Sequence, residues 1–246
     1  MGEERTGRPA RRKVAMSRLM IHVEGETEER FVNEVLAPRL YDAGYRNVSA
    51  RLLGHARQKS RRGGIRAWPA VRRDICNHLA EDAGCIATTM VDYYALPTSP
   101  PNGWPGRGDA VVAPFADKAR RVEEALREDI GAAMGGGFDR RRFIPFVVMH
   151  EFEGLLFSDC SEFGKAIGKP ALIPEFQAIR DRFASPEEIN DSPVTAPSKR
   201  IDGLFPGYQK PLHGVVAASA IGLDLLCAEC PHFAGWVDTL CGSRIR

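Results

Sequence analysis

Short apolar segments alternate with amphipathic segments over the first 160 residues, and this alternation restricts the fold more than any other feature of the sequence. The predicted strands are RLMIHVEG (18–25), VSARLLG (48–54), CIATTMVDYY (85–94) and the start of RFIPFVVMHEFEGLLFSD (142–159). The predicted helices between them are 27–44, 67–82 and 117–134. Strands that alternate with helices predict an α/β fold, with a mainly parallel sheet flanked by helices.

The first strand-to-helix junction, IHVEGETEERF (21–31), concentrates four glutamates around Gly25. Thr27 is a suitable N-cap, and Glu28 and Glu29 then fall in the first helical turn, where the helix dipole favours acidic side chains. Capping therefore accounts for part of this charge. Glu24 comes before the helix, directly after the strand, so the dipole does not explain it.

The bulk properties are those of one globular domain with an elaboration. The chain has 246 residues, of which 43% are hydrophobic. We predict a basic disordered arm over 1–17, an α/β core over 18–160, and a helical C-terminal extension over 161–246 that completes the same domain. No apolar run approaches the roughly 18–20 residues that span a membrane, and the N-terminus lacks a signal-peptide core. We therefore expect a cytoplasmic protein without a membrane partner.

Acidic residues follow three of the predicted strands. Glu24 follows the first, Asp92 the third, and Glu151 and Glu153 the last. The carboxyl ends of parallel strands meet at one edge of a sheet, where ligands bind. A single acid at such a position is most often a helix cap, but several carboxylates close together repel one another and favour a divalent cation. Oxygen ligands indicate Mg²⁺ or Mn²⁺ rather than Zn²⁺.

Basic residues are concentrated in two segments, although the net charge is only +2. Residues 5–18 hold six basic side chains, and residues 57–73 hold seven and no acid. Such a run is either a solvated loop or a surface for a polyanion. The tryptophan within it adds a stacking surface and favours nucleic acid. The predicted nucleic-acid-binding residues are Arg57, Lys59, Arg61, Arg62, Arg66 and Trp68.

A rigid, proline- and glycine-containing segment near the C-terminus supplies further cations. Lys199, Arg200 and Lys210 lie within APSKRIDGLFPGYQKPLHG. Each taken singly is a typical surface cation, but loops that carry function are often held rigidly in this way. We expect Lys199 or Lys210 to act at the catalytic site by neutralising a scissile phosphate.

Five segments together resemble a known group of proteins over residues 18 to about 240. They are HVEGETEERFVNEVLAPRL, VDYYALP, HEFEGLLFSD, SPVTAPSKRI and YQKPLHG. They are similar to an uncharacterised bacterial Toprim-like family, related to the Toprim domains of OLD-type and RloB-type nucleases and often encoded near ATPases or in defence islands. The resemblance implies a Toprim-like sheet, an Mg²⁺ or Mn²⁺ cofactor, a nucleic-acid substrate and an ATPase partner protein.

The resemblance also implies roles for individual residues. Glu24 matches the Toprim glutamate, which is a metal ligand or acid/base, and Asp92 matches the first acid of the Toprim Asp-x-Asp pair. Tyr94 stands at the second position of that pair, where it cannot replace an anionic ligand. Glu151 and Glu153 are candidates to supply the missing charge; their spacing of two predicts that only one faces the metal unless the backbone turns. Glu28 and His150 are candidates for supporting positions beside the metal ligands.

Three functional hypotheses follow. The first is a metal-dependent Toprim-type nuclease that hydrolyses phosphodiester bonds in RNA or DNA, as a defence-associated effector working with an ATPase. The second is a non-catalytic nucleic-acid- or nucleotide-binding partner of an ATPase, with a degenerate metal site, which the tyrosine at 94 favours. The third is a structural interaction module, whose carboxylates would point apart and pair with arginines.

Overall fold

The computed structural model describes residues 18–54, 64–190 and 195–243. The predicted basic arm, 1–17, lies outside these residues. So do four of the predicted nucleic-acid-binding residues, namely Arg57, Lys59, Arg61 and Arg62.

A parallel sheet forms the centre of the fold. Its strands are β1 (Arg18–Val23), β2 (Asn47–Leu52), β3 (Cys85–Asp92), β4 (Phe143–Ile144) and β5 (Val147–Val148). The strand order is β2-β1-β3-β4, and β5 pairs with β3 further along the same edge. All of these pairings are parallel, which confirms the predicted α/β class with helices around a parallel sheet.

The order of the strands creates a switch point at the middle of the sheet. From β1 the chain passes to β2 on one side, and then returns to place β3 on the other side of β1. The loops after β1 and β3 therefore diverge, leaving a crevice at their carboxyl ends, which is where open α/β sheets bind ligands. Glu24 directly follows β1, and Asp92 is the last residue of β3.

Helices cover both faces of the sheet. They are α1 (Glu26–Phe31), α2 (Ala37–Asp42), α3 (Trp68–Glu81), α4 (Phe115–Met134), α5 (Cys160–Ala166), α6 (Ile173–Arg180), α7 (Pro197–Leu204), α8 (Val215–Ile221), α9 (Leu223–Glu229) and α10 (Pro231–Gly242). A π-helical turn, Val32–Leu36, joins α1 to α2, so the helix predicted over 27–44 is nearly continuous. The apolar pattern of GVVAASAIGLDLLCAE (214–229) predicts one helix. In the structure Gly222, at φ +82°, divides it into α8 and α9.

The predicted fourth strand is divided into the short strands β4 and β5. Pro145 lies between them and has no N–H group to donate to a strand ladder. The hydroxyl of Thr89 bonds there to both the N–H and the carbonyl of Phe146, each at 2.9 Å. A side chain of β3 thus replaces the missing backbone pairing and keeps the neighbouring chain in line with the sheet.

Each face of the sheet has its own hydrophobic cluster. On one face, β1 packs against α1 and the C-terminal helices, and the ring of Phe146 stacks on Trp236 at 4.4 Å. On the other face, β3 packs against α3 and α4. The proline-rich loop after β3 joins this second cluster: Trp104 packs against Trp68, and the Arg107 guanidinium lies over the ring of Tyr93.

Within the described part of the chain, no single helix is long and apolar enough to cross a membrane. By length and composition alone, one pair passes when taken together: Lys210–Ile221 and Leu223–Glu229, which are bent by 87°.

Candidate functional site

Glu24 and Asp92 meet at the switch point between β1 and β3. A carboxylate oxygen of Glu24, Oε2, accepts the backbone N–H of Asp92 at 3.4 Å. The Asp92 carboxylate in turn accepts the backbone N–H of Phe152 at 2.9 Å. Two acids that are 68 residues apart in the sequence are thus fixed side by side, as their positions at neighbouring strand ends predict.

Glu28 joins this pair from the first turn of α1. Its Oε2 accepts the N–H of Gly25 at 2.8 Å, so the side chain folds back to the start of the helix and is buried. Gly25 leaves room for it, since a Cβ at that position would lie 3.2 Å from the same oxygen. Burial, and then the charge of Glu24, raise the pKa of Glu28 to about 7.

Glu153 and Lys210 complete the cluster. The Lys210 ammonium lies 2.9 Å from Oε2 of Glu153, whose side chain is 1% exposed. The other oxygen of Glu153, Oε1, is buried and has no hydrogen-bond partner among the described residues. Lys210 opens the π-helical turn Lys210–Gly214, and its side chain is 45% exposed, so the ammonium connects the buried acid with solvent.

The electrostatics of this cluster favour a bound cation. Burial raises the pKa of Glu24, Asp92 and Glu153. The negative charges of Glu24 and Glu28 raise the pKa of Asp92 further, while Lys210 opposes the rise. Burial works against the charge of Lys210, yet the carboxylates, Glu153 foremost, raise its pKa. We refer to Glu24, Glu28, Asp92, Glu153 and Lys210 as the acid cluster.

Glu151 and Glu153 point to different places, because the backbone is extended at Glu151 and then enters a 3₁₀ helix, Phe152–Ser158. The Glu151 carboxylate accepts the N–H of Ser198 at 3.0 Å, in the first turn of α7. It therefore caps a helix while Glu153 enters the cluster.

His150 lies apart from the carboxylates, with the aromatic side chains that follow β3. Its ring stacks on Tyr94 at 5.1 Å and is buried. Burial, followed by the positive charges of Lys118 and Arg107, lowers its pKa to about 4. The supporting position that the sequence predicts for His150 beside the metal ligands stays a prediction, and the contacts that the structure shows for its ring are aromatic.

The remaining predicted residues lie away from the acid cluster or have other partners. Trp68 is 4% exposed; its indole N–H bonds to Asp129 and its ring packs on Trp104. The prediction that it stacks on nucleic acid is therefore wrong. Arg66, which precedes α3, pairs with Asp74 of that helix at 2.9 Å. Lys199 is 60% exposed and lies 3.8 Å from Asp202, so the structure places Lys210 rather than Lys199 among the carboxylates.

Tyr208 is a candidate that the sequence alone did not single out. It is mostly buried, and its hydroxyl finds no hydrogen-bond partner in the described ranges. Burial, and then the charge of Glu153, raise its pKa. Gly214 permits this position, because a Cβ there would lie 3.2 Å from the hydroxyl. The one available signal is its place two residues before Lys210 in the rigid YQKPLHG segment.

The acid cluster fits a hard divalent cation by its chemistry. Its four carboxylates offer only oxygen ligands, and the buried Oε1 of Glu153, which has no hydrogen-bond partner among the described residues, is suited to a metal ion. The distances between the side chains do not yet form a metal site. Over residues 18–54, 64–190 and 195–243, no three His, Cys, Asp or Glu side chains are placed so that they could hold one metal ion. The Lys210 ammonium instead lies among the carboxylates, so a metal site requires Glu153 to turn away from it.

The chain belongs to the DUF4276 family, a domain of unknown function, whose model matches residues 23–241. This range contains every member of the acid cluster. Among solved structures, the fold is similar to the C-terminal region of the Xanthomonas campestris pv. campestris OLD protein, with a TM-score of 0.41 and 16% sequence identity. That match covers 93% of this chain and 96% of the other. A comparison with curated proteins found no significant match.

Proposed function

We propose that this protein is a Toprim-like nuclease that hydrolyses phosphodiester bonds in RNA or DNA with the help of Mg²⁺ or Mn²⁺. The observation that carries this proposal is the acid cluster: buried carboxylates from three different segments converge, with one lysine, on the switch point of the sheet. So many desolvated carboxylates destabilise a fold unless they are used, and functional sites are where such strained ionisation is concentrated.

Glu24 and Asp92 would hold the cation, with Glu153 as the third ligand. A bound divalent cation lowers the pKa of an attacking water and neutralises charge on the leaving oxygen. The remaining roles belong to groups of the protein itself. The N–H of Asp92 orients the carboxylate of Glu24, and the N–H of Phe152 orients that of Asp92. Both ligands are thus held by backbone groups, which keeps them in place without further ordering.

Lys210 would contact the scissile phosphate. Its neighbours raise its pKa, so it stays charged throughout the physiological range, and its side chain is exposed enough to meet a phosphate oxygen. An ammonium beside the developing negative charge stabilises the transition state. On approach of a phosphate, Lys210 would exchange Glu153 for the substrate and free that carboxylate for the cation.

The basic residues of segment 57–73 would attract the nucleic-acid backbone by their charge. An ATPase partner and a role in defence rest on the sequence resemblance alone. Both belong to the proposal as its regulatory context.

The test is a cleavage assay with single-stranded RNA, single-stranded DNA and duplex DNA, with Mg²⁺ or Mn²⁺, and, if an ATPase is encoded beside this protein, with and without that ATPase. We expect Glu24→Gln and Asp92→Asn to lower the cleavage rate by about a hundredfold or more. Glu29→Gln is the matched control, because Glu29 lies in the same helical turn but outside the cluster, and it should cleave like the parent protein. Cleavage that survives Glu24→Gln would remove this residue from the mechanism.

A second measurement detects the cation without activity. We expect Mn²⁺ to raise the melting temperature of the parent protein and of Glu29→Gln, because a ligand that binds the folded state stabilises it. The shift should disappear in Asp92→Asn. An equal shift in all three proteins would place the ion elsewhere.

One observation favours a second candidate, a nucleic-acid-binding partner of an ATPase that does not cleave. Lys210 already neutralises Glu153, and Tyr94, at the second position of the acid pair, stacks with His150. An ammonium in place of a metal ion is what a degenerate site would contain. Nucleic-acid binding without cleavage, together with no thermal shift in Mn²⁺, would select this candidate.

A further inference from the structure

A second candidate site lies at the opposite end of the strands from the acid cluster, beside the amino end of β4. It is a cavity of about 440 Å³ between the last turns of α4, the start of β4 and the end of α10. Its lining contains three arginines, two apolar side chains and a short polar stretch: Arg127, Arg140, Arg141, Phe143, Ile144, Thr239, Gly242 and Ser243. We refer to it as the arginine cavity. No feature of the acid cluster contributes to it.

The positive charge of this cavity is only partly compensated. Arg141 is neutralised by Asp139, which accepts from its Nε and Nη2. Arg127 and Arg140 form no ion pair with any residue in the described part of the chain. Two guanidinium groups therefore line one concave surface without a carboxylate partner. Guanidinium groups bind phosphate oxygens through paired hydrogen bonds, so an oxyanion is the ligand that this arrangement favours.

Gly131 positions one of these groups. It lies in α4, one turn before the helix ends, and the Arg140 side chain passes directly over it. A Cβ at residue 131 would lie 2.8 Å from Nε of Arg140 and 3.1 Å from its Cζ. A glycine in the interior of a helix costs stability relative to alanine. Here it allows the guanidinium to lie against the helix backbone at the wall of the cavity.

The size of the arginine cavity and the rest of its lining indicate a ligand larger than an inorganic anion. Phe143 and Ile144 form the apolar floor of the cavity, where they are 1% and 7% exposed. The hydroxyls of Thr239 and Ser243 already donate to backbone carbonyls of α10. The arginines therefore remain the main hydrogen-bond donors for a ligand in the cavity. Cavities of roughly 300–1,000 Å³ accept ligands the size of a cofactor or nucleotide. The lining thus combines an apolar wall with a cationic end.

We propose that the arginine cavity binds a phosphorylated small molecule of nucleotide size, with its phosphate between Arg127 and Arg140 and its ring system against Phe143 and Ile144. The site is separate from the acid cluster, which lies at the carboxyl ends of the strands. A ligand bound here would contact α4 and α10 together, and would therefore stabilise the packing of the C-terminal helix on the sheet.

Isothermal titration calorimetry on the full chain, without divalent cations, tests the proposal with AMP, inorganic phosphate and adenosine as probes. We expect AMP to bind more tightly than inorganic phosphate, and adenosine to bind at least about tenfold more weakly than AMP. Arg127→Ala and Arg140→Ala should each weaken AMP binding about tenfold or more. Arg121→Ala, which removes an exposed arginine of α4 outside the cavity lining, should leave it unchanged. Equal affinities for AMP and adenosine would overturn the proposal.

Gly131→Ala separates a binding role from a structural one. It should keep or raise the melting temperature, because alanine favours the helix, while it weakens AMP binding by displacing Arg140. Unchanged AMP binding in Gly131→Ala and Arg140→Ala would refute the site. So would an oligonucleotide that binds there more tightly than AMP.

This outcome is independent of the proposed nuclease activity. Glu24→Gln should bind AMP like the parent protein, because Glu24 lies at the other edge of the sheet. AMP binding that is lost in Glu24→Gln would place the ligand in the acid cluster and would contradict the arginine cavity.

Discussion

The central sheet carries opposite charges at the two ends of its strands: buried negative charge at the carboxyl ends, which we call the acid edge, and exposed positive charge at the amino end of β4, which we call the arginine edge. At the carboxyl ends of β1 and β3, carboxylates are buried against one another, and a single lysine offsets them. At the amino end of β4, arginines line an open cavity, and two of them have no ion-pair partner among the described residues. A net charge of +2 conceals this separation.

The difference shows that burial, rather than the amount of charge, decides how an edge responds to its surroundings. Desolvation raises the pKa of the buried carboxyls, so protons, Lys210 and a metal cation compete for the carboxylates of the acid edge. A guanidinium stays charged at any physiological pH, so the arginine edge can respond only to an anion. The predictions below test this contrast, from the largest expected effect to the smallest.

Removing the positive charge of Lys210 from the acid edge should have the largest effect on stability. Lys210→Met leaves the 1%-exposed Glu153 carboxylate without its ion pair. We expect the free energy of unfolding at pH 7 to fall by about 3 kcal/mol, at the low end for a broken buried pair because the lysine is partly exposed. Urea unfolding at pH 7 and pH 4.5 measures it, and the loss should shrink at the lower pH as the carboxyls become protonated.

The matched control for that variant is Lys199→Met. Lys199 is 60% exposed and pairs loosely with Asp202, so its removal should change the free energy of unfolding by less than about 0.5 kcal/mol. Equal losses in the two variants would show that Lys210 does not act through the buried carboxylates.

Neutralising one carboxyl of the acid edge should stabilise the protein. The pKa of Glu28 is raised from 4.5 to about 7, so folding favours its protonated form. This contribution is complete below about pH 4.5 and is lost as the pH rises to about 7. Glu28→Gln keeps an oxygen for the N–H of Gly25 and should therefore raise the free energy of unfolding at pH 7 by about 2 kcal/mol.

The same variant should leave stability at pH 4 nearly unchanged, because Glu28 is already protonated there in both states. Chemical unfolding over pH 4 to 7 measures the effect. Glu29→Gln, in the same helical turn, should follow the parent protein over the whole range. A flat difference between Glu28→Gln and the parent across this pH range would contradict the raised pKa.

Two glycine-to-alanine changes give the smallest and most direct comparison of the edges. Gly25→Ala would bring a Cβ within 3.2 Å of the Glu28 carboxylate at the acid edge, at a helix N-cap where glycine is preferred to alanine. It should lower the free energy of unfolding by about 0.5–1 kcal/mol. Gly131→Ala meets first the exposed Arg140 side chain, and should raise the free energy of unfolding by up to about 1 kcal/mol.

Thermal unfolding of both glycine variants measures these changes. The opposite signs are the informative part, because both substitutions are chemically identical. A loss of stability in Gly131→Ala would mean that Arg140 is held too firmly to move aside.

Local patterns predicted most of the sheet and helices. The strand endings at Val23 and Asp92 follow from apolar runs interrupted by acids, and α4 follows from its amphipathic period. Two predicted elements differ in the structure. Pro145 divides the last strand, and Gly222 divides the long C-terminal helix, in each case through a backbone restriction that a hydrophobic pattern does not register.

The candidate site could be predicted only in part. Glu24 and Asp92 were found from their positions at strand ends, which a parallel sheet brings together. Trp68 was misassigned because its basic neighbours in the sequence suggested an exposed surface, whereas its ring is buried against Trp104 of the loop after β3. Tyr208 had only its place beside Lys210 as a signal, and Arg140 had none, since burial and pairing depend on partners far away in the sequence.

The sequence by itself determined which segments become strands and helices, and that acids would follow neighbouring strands, because these properties depend on local periodicity and on backbone restrictions. The tertiary structure alone decided that Glu153 rather than Glu151 enters the cluster, that Lys210 rather than Lys199 neutralises it, and that three arginines share a cavity. Ionisation and pairing depend on distance and desolvation, which exist only once distant segments have packed together.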